Sequence, residues 1–142
     1  MQGASERDEH LIDCDSISFV PDGWECEEHR KGGVFKFDVS QIELHLDDDQ
    51  RKGNYPTGNK LRERLKGKPA LNANVLGYLL KNPQLIPEEW KGKNIYFWGT
   101  IYCFAGDLYV YGLSWTGVRW AAYHHRLVDN YLDDDFAALC RS

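Results

Sequence analysis

From Ile95 onward the chain contains no glutamate, lysine, glutamine or methionine, although residues 1–94 carry nine Glu, nine Lys, four Gln and one Met. The later segment keeps its charge by other means, with five Asp and three Arg. Reduced use of Glu and Lys in strands accounts for part of this pattern. It does not account for a charged, looped tail that avoids them too. Other absences exclude function classes. No apolar run approaches the roughly 18 residues of a spanning helix, so no membrane span is expected. The N-terminus, MQGASERDEHLIDCD, lacks the basic start, apolar middle and small-residue cleavage site of a secretory signal. A cytoplasmic chain is therefore expected, with surface display by another route left open. Cys14, Cys26, Cys103 and Cys140 lie too far apart for C-x-x-C metal or redox pairs and read mainly as free thiols, a disulfide being the alternative. There is no G-x-S-x-G, no H-E-x-x-H and no glycine-rich phosphate loop. Neither a catalytic residue nor a metal or cofactor is assigned.

With 142 residues, 42% hydrophobic and 13% aromatic, the chain is long enough to bury one core without disulfides or metal. Its net charge of -5 opposes a broad phosphate-binding surface, because nucleic-acid binding draws on a basic stripe. The one local basic stretch is NKLRERLKGK, residues 59–68.

Residues 1–16 are polar and acidic and read as a loose arm, leaving residues 17–142 as a single domain. WECEEH and VFKF around RKGG have the form of a hairpin with a Gly-Gly turn. Asp38 and Gln41 resemble a helix-capping pair, with Val39, Ile42 and Leu46 following at helical spacing until the acidic run Asp47–Asp49. Residues 50–60 read as loop, and Leu61 and Leu65 as a short helical turn. ALNANVLGYLLKNP is the clearest helix: Val75, Leu76, Leu79 and Leu80 form one stripe, and Pro83 closes it. Pro87 opens a further short turn whose Trp90 is expected in the core. NIYFWGTIYCF, LYVYGLSW and VRWAAYHHRL are then three aromatic and β-branched runs separated by Ala105-Gly106-Asp107 and Thr116-Gly117, the pattern of an antiparallel meander. Helices first and strands second predict an α+β domain, with helices packed on one face of a C-terminal sheet spanning residues 95–142. The segment from Asp129 to Ser142 carries no element signature.

If the first run is one strand, Tyr96, Trp98, Thr100 and Tyr102 share one side and Ile95, Phe97 and Ile101 the other. Tyr109, Tyr111, Trp115 and Trp120 extend an aromatic side. Either that side is exposed for binding, or both faces are covered. His124 and His125 invite a catalytic or metal reading with Asp129 or Asp133–Asp135, but neighbours on a strand point to opposite faces. A solvated acidic loop is the simpler account of the aspartates.

Glu, Lys, Gln, Met and Trp have codons that always end in a purine. Codons ending in a pyrimidine cannot encode them, yet leave Tyr, His, Asp, Asn, Ser, Thr, Val and Arg open, which are the residues that dominate 111–136. KGKPALNANVLGYLLKNPQLIPEEWKGKNIYFWGTIY, preceded by EEHRKGGVFKF and GNKLRERL, resembles a family of small, largely uncharacterised proteins of candidate-phylum bacteria, over most of the chain from about Trp24. The C-terminal segment, with its tryptophans and the Ala137-Ala138-Leu139 end, is similar to the variable regions of target proteins of diversity-generating retroelements. The resemblance implies a ligand-binding protein whose contact residues are rewritten by adenine-directed mutagenesis, often on a C-type-lectin-like fold. The chain departs from the usual G-G-S-W run by carrying Leu113-Ser114-Trp115. Under this reading Leu113, Trp115, Trp120 and Leu127 are framework. Tyr111, Ser114, Thr116, Val118, Tyr123, His124, His125, Asn130, Tyr131, Asp133 and Asp134 are the expected contact residues for a protein or other macromolecular ligand. A small enzyme using His124 or His125 with an aspartate, and a nucleic-acid binder stacking bases on the sheet, are the alternatives.

Overall fold

The computed structural model of the chain describes residues 10–17 and 19–141. Of the expected loose arm, residues 1–9 lie outside the described residues, whereas Leu11–Asp13 forms strand β1 and buries Ile12 and Cys14. WECEEH and VFKF do supply strands, β2 (Glu25–His29) and β3 (Val34–Lys36), but they do not form the expected hairpin. β3 pairs with β1, and β2 pairs far along the chain with residues 100–103. The link between them is tied down by Asp15, which accepts from the Gly33 N–H at 2.8 Å. A tight turn is replaced by a crossing from one sheet to another.

Asp38 caps a single 3-10 turn, Val39–Gln41, accepting from the Ser40 N–H. The helix expected through Leu46 gives way to strand β4 (Ile42–His45). Ile42-Glu43-Leu44-His45 also alternates, and a long-range strand partner decides the outcome. The acidic run starts a helix instead of ending one. Asp47 caps α1 (Asp48–Arg51), with Gln50 completing a capping box, and the helix dipole favours negative charge at that end. Thr57 caps α2 (Gly58–Arg64), and Asn72 caps α3 (Ala73–Lys81), whose Val75, Leu76 and Leu79 are buried as their spacing requires. Pro83 follows at the end of α3, and a 3-10 turn at Glu88–Trp90 buries Trp90.

NIYFWGTIYCF is two strands, β5 (Asn94–Tyr96) and β6 (Thr100–Phe104). The break falls at Gly99, where an added Cβ would lie 2.8 Å from the Asn72 Cβ. It shifts the alternation, so Tyr102 joins Ile95 and Phe97 on one side while Ile101 joins Tyr96 and Trp98 on the other. β7 (Asp107–Trp115) and β8 (Trp120–Arg126) match the second and third runs, and the unassigned tail contributes β9 (Asp135–Cys140).

Among the described residues, seven strands form the main sheet. β7 pairs along one edge with β8 and divides its other edge between β6 and β5. β9 lies between β5, to which it is parallel, and β4, to which it is antiparallel. The fold is thus α+β in one domain, with helices packed on a curled, mostly antiparallel sheet. They do not share one face. α3 covers the side of Tyr111, Leu113 and Ala138, whereas Leu61 of α2 and Leu65 cover the side of Val110, Ala137 and Leu139. No helix among the described residues is long and apolar enough to cross a membrane.

Candidate functional site

The β7–β8 ribbon projects the segment in which contact residues were expected. Its register runs from Tyr109 opposite Arg126 to Trp115 opposite Trp120. At its tip Gly117 takes φ 99°, and the Thr116 hydroxyl holds the turn through the Val118 and Arg119 N–H groups. Val118 is 85% exposed there. Trp115 and Trp120, read as framework, are half-buried and meet edge to face at 5.4 Å, with the Lys91 ammonium 3.9 Å from the Trp115 ring centroid. Leu113 and Leu127, the other framework residues, are fully buried.

Strand alternation separates the two histidines. His124 is exposed and packs against Trp24, Tyr109 and Tyr111. His125 turns to the other face, against Tyr96 and Tyr131, and its Nε2 lies 3.1 Å from the Asn130 carbonyl. Neither ring is hydrogen-bonded to a carboxylate among the described residues. Asp129 is instead engaged with the Arg126 guanidinium, an exposed pair that raises the Arg126 pKa. Among the described residues no group of three or more metal-ligating side chains is gathered together.

Residues 127–134 form a loop whose backbone is held at almost every step. The Gly58 and Asn59 N–H groups, at the start of α2, donate to the carbonyls of Asp129 and Leu127 at 3.0 and 2.9 Å. The Tyr131 N–H donates to the Pro56 carbonyl, and the Asn130 amide reaches the Tyr55 carbonyl. Buried Gln50 donates to the carbonyls of Leu132 and Asp135. The side chains of Asn130, Leu132, Asp133 and Asp134 are nonetheless exposed.

Tyr131 and Tyr111 are not available for contact. Both are buried, and the Tyr131 hydroxyl is shared between the His125 and Arg126 carbonyls at 3.2 and 3.3 Å. Tyr123 and Ser114 are half-buried. The Ser114 hydroxyl donates to Asn94 at 3.3 Å. The Tyr123 hydroxyl is buried beside that of Tyr96 without a well-directed hydrogen bond. Burial pushes the phenols of Tyr96, Tyr123 and Tyr131 upward, and it also raises the Asp135 carboxyl against the opposing effect of the Leu132 N–H and Asn94 amide. Of the eleven expected contact residues, Thr116, Val118, His124, Asn130, Asp133 and Asp134 are exposed.

Both faces of the sheet are thus covered, but incompletely. Trp24 stacks on Phe104 at 4.8 Å and 15°, and its ring lies 4.7 Å from Tyr109 and 5.1 Å from His124. Phe19 meets Tyr111 at 5.3 Å. Phe19 and Phe104 remain 41% and 38% exposed, so a half-open aromatic patch continues the ribbon surface. Phe19, Trp24 and Phe104 were missed from sequence. A tryptophan directly before the polar run ECEEH was the available signal. No protein-family model, curated protein or solved structure matches the chain.

Proposed function

We propose that this chain is a binding module whose β7–β8 ribbon and following loop present a diversified surface to a macromolecular ligand, a protein. The observation that carries this reading is the division of labour in the loop at 127–134. Its backbone is fixed by α1, α2 and the Pro56 carbonyl, while the side chains of Leu132, Asp133 and Asp134 face solvent and the exposed Asn130 amide adds a tie to the Tyr55 carbonyl. Exposed substitutions typically change stability little, whereas buried ones cost about 2 to 5 kcal/mol. A surface of this kind tolerates rewriting. The aromatic patch around Trp24 supports the reading, because aromatic side chains give large contact area at low entropic cost. The codon restriction that the retroelement resemblance implies is in keeping with the absence of Glu, Lys, Gln and Met from residues 111–136.

Sequencing the gene and its flanks across a population of the source organism tests the proposal. Variation is expected at the codons of Thr116, Val118, His124, Asn130, Asp133 and Asp134, with Leu113 and Leu127 constant and a template copy and reverse-transcriptase gene nearby. One invariant sequence with no template copy overturns it.

A further inference from the structure

A second surface lies away from the ribbon. A cleft of about 320 Å³ has an apolar floor that includes Phe35, Pro69 and Leu71, and it is rimmed by Arg30, Lys31 and Lys68. Ligand sites of this size, roughly 300–1,000 Å³, typically combine apolar walls with a few placed polar groups. A second cleft of about 440 Å³ shares Lys68, Pro69 and Cys140 with the first and adds His45 and Arg141. No acidic side chain lines the first cleft. Glu43, the carboxylate lining the second, lies 3.8 Å from the His45 ring. Cations therefore gather here in a chain of net charge -5.

We propose that the adjoining clefts form one binding groove for a small amphiphilic carboxylate, its apolar body on the Phe35–Leu71 floor and its carboxylate between Lys31 and Lys68. Neither lysine has an ion-pair partner among the described residues, so both ammonium groups are available. Arg30 is not. Its Nη1 donates to the Leu65 and Lys68 carbonyls at 3.2 and 3.0 Å, and its Nε faces Glu28 at 3.7 Å. It makes a fixed positive wall, anchored through Nη1 to two backbone carbonyls. The first N–H groups of α3 are also taken, Ala73 by the Thr100 hydroxyl and Asn74 by the Asn72 side chain. The first cleft thus sets two ammonium point charges beside an apolar floor, an arrangement that suits a single carboxylate on an apolar body, and Arg141 extends the positive rim along the second cleft. His45 is held below its ordinary pKa, first by burial and then by the charge of Lys68, in keeping with positive potential where the clefts meet.

The test titrates the full chain with 2-naphthoate and, in parallel, with neutral 2-naphthamide, following backbone amide shifts and the rate at which iodoacetamide alkylates Cys140. Saturable shifts at Gly32, Ala70, Leu71 and Cys140, together with slower Cys140 alkylation, are expected for naphthoate alone. The variant Lys31→Glu/Lys68→Glu should weaken naphthoate binding about tenfold or more. If that variant loses its dispersed spectrum, Lys68→Met is used and should weaken binding in the same direction. Equal binding of the naphthamide, shifts centred on the Trp24 patch, or undiminished affinity in a folded variant would overturn the proposal. The proposed role of the ribbon is untouched by any of these results.

Discussion

Two tyrosines in one aromatic cluster have opposite relations to their hydroxyls. Tyr131 places its hydroxyl against two backbone carbonyls, whereas the buried Tyr123 hydroxyl lacks a well-directed partner. A net hydrogen bond is worth about 1 kcal/mol, and a buried unsatisfied group costs about 1 to 3. Tyr131→Phe should therefore lower stability by about 1 kcal/mol, and Tyr123→Phe should leave it unchanged or raise it. Denaturant midpoints of the two variants decide the point, and a clear loss in Tyr123→Phe would refute it. The β6–β7 turn carries a different residue-scale cost. Ala105 and Gly106 take φ 53° and 85°, the positive pair of a two-residue hairpin turn that favours Asn-Gly. Ala105→Asn should raise the midpoint, by up to about 1 kcal/mol of stability. Burial, aided by Asp13 and Asp15, pushes the Cys14 thiol up to about 11. Since the thiolate is the reactive form, Cys14 should be the last of the four cysteines alkylated at neutral pH, read by peptide mass mapping.

The elements that sequence reasoning found are those defined by local signals. α3 has its cap, stripe and closing proline within a dozen residues, and the β6–β7–β8 meander has its turns between its strands. The elements it missed take their partners from far along the chain. β2 finds β6 and β4 finds β9, so Gly-Gly and a capping pair suggested a hairpin and a helix that long-range pairing overrides. The opposite placement of His124 and His125 was legible from alternation alone. The covering of Tyr111 by Phe19 and Trp24 was not, because those residues are separated from it by most of the chain. At this scale α2 is the element to probe. An added Cβ on Gly58 would lie 2.6 Å from the Tyr131 ring and 2.8 Å from the Leu127 Cα. Gly58→Ala should cost about 1 to 3 kcal/mol and speed amide exchange across residues 127–134. Arg62 also ties α2 to Glu28 at 2.8 Å, and this hydrogen bond holds the Glu28 carboxyl below its ordinary 4.5. The folded pKa is depressed, so the stabilisation is complete above the ordinary value and fades as pH falls through the lowered one. The stability difference between the native chain and Glu28→Gln should be larger at neutral pH than near about pH 3.

For the whole molecule, the buried frame and the exposed ribbon should respond to mutation very differently. Val118→Ala and Asp133→Ala should each fall within about 0.5 kcal/mol of the parent. Leu127→Ala should cost about 2 to 5 kcal/mol, and melting curves of the three variants measure the contrast. The position of β9 has a further consequence. This strand lies inside the sheet, between β5 and β4, yet it follows the ribbon in the chain. A nascent polypeptide that has delivered β1 to β8 still leaves β4 without its partner and β5 with an open edge. The domain therefore closes only after translation has passed through the ribbon in the correct frame. A frameshift or premature stop there removes Ala137, Ala138 and Leu139 from the core and yields a chain that cannot close its sheet. Such chains are left to proteolysis, so closure of the sheet proofreads the reading frame through the ribbon while tolerating changes at its exposed positions.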